Sequence, residues 1–319
     1  MRLGSAGMAS PSAAPRDLAA QPVPWFERLL VVLFVVVPFL AVLAAVPFAW
    51  GWGLGWRDVA VAAAMYLITG FGVTVGYHRH FTHRSFQADT WLRVVLAIAG
   101  GMSLQGPVIR WVADHRRHHK YADREGDPHS PWRFGPGFAG LARGLFHAHV
   151  GWLFSPERTS RRRFCPDLLA DRPIRFLSHN LTYVPVVLLS IALPALAGGL
   201  WGGSWQAALT AGFWGGPVRI FVLHHVTWSI NSVCHTFGKE EFSVRDRSRN
   251  VRWLAVVSLG EAWHNLHHAD PTCARHGVLP GQVDPSARLI WLFERAGWVR
   301  DVRWPDPDRI AARRVARSA

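Results

Sequence analysis

Long apolar runs set between arginine-rich stretches constrain this chain more than any other feature. From residue 29 to about 50 nearly every residue is apolar, and about 20 such residues cross the hydrocarbon core of a bilayer as a helix. Comparable runs follow at about 59–77, 175–197 and 205–228. Residues 51–57 form a short Trp-rich link between the first two runs, and 198–204 an uncharged glycine-rich turn between the last two. The pattern predicts an all-α integral membrane fold, with four transmembrane helices in two hairpins and a cytosolic helical cap. Half of the 319 residues are hydrophobic and 17 are Trp, which puts the membrane class ahead of the soluble one.

The main domain is expected over residues 25–300. Residues 1–24, rich in Ala, Pro and Ser, read as a disordered tail, because the apolar run behind them is too long for a cleaved signal peptide. Residues 301–319 read as a basic C-terminal tail. The segment 91–104 contains Arg93 and the pair Gly100-Gly101, so it is expected to lie at the interface or re-enter rather than span.

The formal charge is +14, carried almost wholly by arginine, with Lys120 and Lys239 the only lysines. Because the cations flank apolar spans, anionic headgroups and topology account for them and a nucleic-acid partner is not expected. Sixteen Arg or Lys lie in 76–175 and fourteen in 239–319, while the turns between spans hold only Arg57. The positive-inside rule then faces both polar regions and both termini toward the cytoplasm, in a multi-pass protein of the inner membrane. Cys165, Cys234 and Cys273 form no CxxC pair, which excludes an iron–sulfur centre built within the chain.

The polar regions carry the chemistry. His115, His118 and His119 stand at i, i+3 and i+4, and His264, His267 and His268 repeat that spacing. On a helix such residues share a face, and neutral imidazole binds iron, zinc and copper. His78 and His83 form a third cluster just beyond the second apolar run. Trp228, Asn231 and His235, at i, i+3 and i+7, emerge from the last one. Nine imidazoles at one membrane edge exceed the coordination of one metal and suit two. His80, His129, His147, His149, His179, His224, His225 and His276 are expected to be structural or supporting. No HExxH zinc signature occurs, nor do the ExxH carboxylate pairs of soluble di-iron bundles. An all-imidazole cluster open to lipid suits iron working with dioxygen on an apolar substrate. Asp114, Glu261 and Asp270, beside the boxes, are expected to orient imidazole N–H groups.

The three boxes, the Asn231…His235 pair and the run from Gly260 to His268 resemble membrane fatty-acid desaturases of the stearoyl-CoA desaturase type, over about residues 26–295. The resemblance implies a di-iron centre and a cis double bond, typically Δ9, placed in a saturated acyl chain with O2 as co-substrate. It implies one iron held by His78, His83, His119 and one histidine of the last box. The other would be held by His115, His118, His235 and the rest of that box, with Asn231 acting through water. It further implies that Gln105, Trp111 and Thr227 pin a bend in the acyl tunnel, that Trp228 lines it, and that Tyr66 and Gly70 close its far end. Two positions depart from the acyl-CoA relatives. Ala113 stands where they carry Arg, and Pro156-Glu157 replaces a basic pair, both at places that contact the CoA headgroup. The carrier is therefore left open between CoA and a membrane phospholipid. With no fused haem or ferredoxin-like domain, electrons are expected from a separate carrier or reductase docking on the basic face. A membrane hydroxylase or ketolase is the alternative within the enzyme class. A metal transporter is the alternative outside it, disfavoured because its ligands would lie near mid-membrane.

Overall fold

The computed structural model describes residues 24–49 and 53–315. The N-terminal tail expected over 1–24 lies outside them except for Pro24. Three helical stretches are long and apolar enough to cross a membrane: Glu27–Ala45, Trp56–Thr82 and Asn180–Gly202. The first lies in α1 (Trp25–Ala49), whose Leu29, Leu30, Leu40 and Leu43 point outward, as suits lipid contact.

The second stretch begins as α2 (Trp56–Phe71) and continues without a break as a π-helix over Gly72–Thr82. It therefore runs five residues past the expected end at 77. The packing of α3 (Thr90–Gly101) explains why small residues line this segment. A Cβ on Gly72 would stand 2.1 Å from the backbone nitrogen of Gly100, and one on Gly100 would stand 2.4 Å from the Tyr77 ring. Glycine lets the two backbones touch, as in membrane helix pairs. Around this contact Val75, Tyr77, Phe81, Leu92, Leu96 and Val112 form the core of the cap.

The short strand β1 (Gln87–Ala88) precedes α3, and α4 (Val108–Tyr121) and α5 (Phe138–His149) follow it. The short helices α6 (Arg161–Phe164), α7 (Pro166–Ala170) and α8 (Arg172–Leu177) lead into α9 (Asn180–Gly202). The third apolar run thus starts its long helix at Asn180 rather than 175, because His179 caps it by accepting the Leu181 N–H. After the turn, α10 (Trp205–Phe213), a π-turn at Trp214–Val218 and α11 (Arg219–Ser232) form the fourth stretch. Its backbone is broken at Gly216, beside Pro217. Pro217 brings no N–H to the helix ladder.

One buried cation locks these helices together. The Arg219 guanidinium donates to Gly215 O (3.0 Å), Met102 O (3.2 Å), Ser190 O (3.2 Å), Ser190 Oγ (2.7 Å) and Thr69 Oγ1 (3.4 Å). Every N–H finds an oxygen, which an apolar setting demands of a charged donor.

The cap is completed by α12 (His264–Ala269), α13 (Pro285–Arg295), β2 (Val299–Arg300) and α14 (Pro307–Arg313). β2 pairs antiparallel with β1. The tail expected from 301 is packed structure as far as 315. Arg303 and Ala274 share a backbone bond, as do Val315 and Glu241, and Asp270 pairs with Arg309 and Arg313.

Candidate metal centre

Each histidine box sits where its local helix type can aim it. His78 and His83 are five apart, about 140° from each other on an α-helix, so an α-helix cannot bring them together. The π-helix can, because its bonds run i to i+5, and His83 N–H donates to His78 O at 3.2 Å. Their rings then meet with centroids 4.8 Å apart.

In α4 the three imidazoles divide. Residues four apart lie about 40° from each other, whereas His118 and His119 differ by about 100°. His115 and His119 meet edge to face, Nε2 to Nε2 at 3.1 Å, while His118 turns away. The last box does the mirror image: His264 and His268 meet edge to face, Nε2 to Nε2 at 3.0 Å, and His267 turns away. Each box thus gives its i, i+4 pair to one group and its middle histidine to the other. Ligand atoms of His78, His83, His115, His119 and His267 gather within 4.8 Å of one another, and so do those of His118, His235, His264 and His268. This corrects the expected division, in which His115 went with His118. The four-residue spacing keeps His115 with His119 instead.

Nε2 atoms converge throughout: His78 to His267 at 3.0 Å, His267 to His119 at 2.9 Å, His235 to His264 at 3.0 Å. The buried Nε2 atoms of His83 and His118 have no hydrogen-bond partner among the described residues. Burial, and then neighbouring imidazoles, lower the pKa of His115, His119, His264, His267 and His268 well below the usual value. Neutral rings with lone pairs facing inward at such distances repel unless a cation sits among them. The donor set therefore fits two transition-metal ions.

Carboxylates hold the rings from behind. His78 Nδ1 meets Glu261 at 2.5 Å, His118 Nδ1 meets Asp127 at 3.0 Å, His235 Nδ1 meets Asp123 at 2.9 Å and His268 Nδ1 meets Asp246 at 2.9 Å. For His118, His235 and His268 the hydrogen bond fixes the tautomer that leaves Nε2 free as a ligand. Burial lowers the pKa of His235, but Asp123, with Asp127 and Asp246, outweighs it and the pKa is raised. Asp127 is held below the usual carboxylate range against its own burial, chiefly by His118.

Of the three expected carboxylates, Glu261 takes this role, also pairing with the buried Arg79, which Asp284 holds from the other side. Asp114 and Asp270 reach no imidazole among the described residues. Asp270 faces α14, and Asp114 lies about 100° around the helix from His115. The sequence reading missed Asp123, Asp127 and Asp246. The first two sit four and eight residues past His119, a signal that was present. Asp246 comes from a loop whose position only folding decides. Among the supporting histidines, His276 lies 3.6 Å from Glu261, His129 packs on His118, and His224 bonds Ser103 O at 2.8 Å.

The expected tunnel residues form a connected chain. Trp111 Nε1 donates to Gln105 Oε1 at 3.1 Å and Gln105 Nε2 donates to Thr227 Oγ1 at 3.0 Å. Trp228 is buried against His224, His225 and His149. Tyr66 donates to Val257 O at 2.5 Å, and a Cβ on Gly70 would come within 2.7 Å of Leu259. Asn231 is half-buried one turn before His235.

Two comparisons decide the family. Residues 54–278 match the family model described as fatty acid desaturase. The chain is 37% identical over 273 residues to delta-9 acyl-lipid desaturase 1 of Arabidopsis thaliana, covering 84% of this chain and 81% of the relative. The chain belongs to the membrane fatty-acid desaturase family. Other relatives of the family include the sn-1 stearoyl-lipid 9-desaturase of Synechocystis, at 32% over 94% of this chain and 87% of the relative. The hex-5-enoyl-(acyl-carrier protein) acetylenase of Moorena producens is 40% identical over 89% of this chain and 88% of the relative. Membership makes the protein an oxidoreductase of fatty acyl chains. Its histidine groups fit the metal binding that this class implies.

Proposed function

We propose that this desaturase inserts a cis double bond at Δ9 of a saturated acyl chain linked to a membrane lipid, consuming O2 and two external electrons. The balance is –CH2–CH2– plus O2, two electrons and two protons, giving –CH=CH– and two waters. The observation that carries the reading is the convergence of nine imidazole ligand atoms in two groups, with carboxylates fixing the tautomer of three of the rings. His78, His83, His115, His119 and His267 would hold one iron. His118, His235, His264 and His268 would hold the other, with Asn231 acting through water. Two irons there supply the dioxygen-dependent oxidant that an unactivated methylene requires, since side-chain acids and bases cannot deprotonate it.

The protein's own task is then to present one pair of methylenes. The Trp111–Gln105–Thr227 chain lies between the helix of the second box and the last apolar stretch, and it fixes the bend of the acyl path there. Trp228 lines that path and Tyr66 and Gly70 close it. A lipid carrier is favoured over CoA by local electrostatics. Ala113 is buried and uncharged, and Glu157 is itself engaged by Arg117 and Arg133 at 3.0 Å each, so neither of these two positions presents a cation to a headgroup. The relatives named for acyl-lipid substrates support the same choice. In topology, the stretch 205–232 completes four crossings in two hairpins, with the cap, both termini and the active site cytoplasmic. The inner membrane is the site of action.

The test is lipid analysis by mass spectrometry after expression in a host unable to make unsaturated fatty acids. A Δ9 cis-monoene in the glycerolipid fraction is expected. A hydroxyl, keto group or triple bond in its place would return the reading to a hydroxylase, ketolase or acetylenase.

A further inference from the structure

This inference rests on the desaturase reading above, which needs two electrons delivered to the metal centre, whose second group is His118, His235, His264 and His268. One exposed face lies a single hydrogen bond from that group. Trp132 Nε1 donates to the backbone carbonyl of His235 at 2.9 Å, and the Arg247 guanidinium lies over the Trp132 ring, 4.0 Å from its centroid. The loop carrying Arg247 also backs the metal centre. Its Arg247 N–H donates to Asp123 at 2.8 Å, and its Asp246 holds His268.

Its acids thus point inward and its cations outward. Trp132, Thr236, Phe237, Gly238, Arg247 and Arg249 line a shallow depression. Arg245 is exposed beside it, with Arg124 bonded to its carbonyl, and Lys239 is exposed on the paired segment. The exposed acids nearby are Glu125 and Glu240, and Glu240 is paired with Arg249 at 3.4 Å. Arg161 and Arg162, on α6, make another exposed basic run, but α6 packs on α4 behind Phe164, and among the described residues no hydrogen bond joins α6 to a histidine of either group.

We propose that this face, centred on Trp132 and Arg247 with Lys239 and Arg245 at its rim, is the docking site of a small acidic protein that carries single electrons. Charge complementarity selects an acidic partner and speeds its encounter. The Trp132–His235 and Asp246–His268 bonds then connect that surface directly to two histidines of the second group. The partner is oxidised by one electron at each of two visits, and the two electrons leave in the two waters of the desaturation.

The experiment measures binding of an oxidised plant-type [2Fe–2S] ferredoxin to the full-length protein in lipid nanodiscs, as a function of salt. Lys239→Glu combined with Arg245→Glu is expected to weaken binding about tenfold at low salt and flatten its salt dependence. Arg161→Glu combined with Arg162→Glu should stay within about twofold of wild type. The melting temperature of each variant verifies its fold, and Arg245→Gln alone, a milder change, should give a smaller loss in the same direction. Undiminished binding by the first double variant, or a larger loss from the second, overturns the assignment. Because binding is read without turnover, a dock that depends on Lys239 and Arg245 stands even where the lipid assay finds no unsaturated product. That product result would count against the desaturase reading alone.

Discussion

The two histidine groups are built from mirror-image boxes yet supported in opposite ways. The first is backed from the core: His78 leans on Glu261, which Arg79 and Asp284 hold in a fully enclosed ion cluster. The second is backed from loops, through Asp123, Asp127 and Asp246. A core-built group gains rigidity at the risk of large loss when one charge is removed, since the remaining buried charges are left unpaired. A loop-built group should lose less per carboxylate, because each carboxylate there is held by a separate segment.

The hardest test of the comparison is to remove the exchanged ligands. His118→Ala and His267→Ala should each abolish product and leave at most one metal per chain, by metal analysis of anaerobically handled protein. His179→Ala, a helix cap outside both groups, should retain it. Two metals retained in either ligand variant would break the division into groups.

Next in size come the supporting carboxylates, whose loss commonly costs 10- to 100-fold in activity or metal affinity. Glu261→Gln should fall at the upper end of about that range, because it leaves Arg79 beside a weaker partner. Asp246→Asn should fall near the lower end. Equal losses would erase the distinction between core and loop support.

A smaller effect is expected at the closed end of the acyl path. Gly70→Leu should shift preference toward shorter chains, since each methylene that no longer fits forfeits about 0.8 kcal/mol, roughly fourfold in binding. Tyr66→Ala should admit longer ones. The product profile from mixed C14–C20 acyl lipids checks both, and an unchanged profile would make these residues ordinary packing.

The smallest effect concerns pH. The lowered pKa values of His264, His267 and His268 mean that the folded, metal-free protein binds fewer protons than the unfolded chain once pH falls below about 6.5. Stability should therefore drop as pH falls from 7.5 to 5.5, read as a lower melting temperature. The drop should be at least as steep with metal bound, because metal binding also requires deprotonated rings. A pH-independent melting temperature in chelated protein would show the rings to titrate in the fold as they do in the unfolded chain.

Much of this was legible beforehand. Apolar runs placed α1, α2 and α9, because a bilayer leaves a backbone few ways to satisfy itself. The nine edge histidines were legible because their spacing repeats. Even the sharing of histidines between groups was latent in the four-residue spacing, which sets His115 beside His119 and His264 beside His268 whatever the remainder of the fold does. The folded chain alone decided three things. It placed a π-helix at Gly72–Thr82, where backbone contact between Gly72 and Gly100 favours the wider coil that brings His83 beside His78. It brought Asp246 to His268 and Asp123 to His235, pairings set by loop closure across more than twenty and more than a hundred residues. It also turned Asp270 away from the metal side toward Arg309 and Arg313, because α14 packs where a free tail was expected. Local spacing fixes which side chains can share a helix face. Which face meets which partner depends on contacts distant in sequence, and these form only as the chain closes on itself.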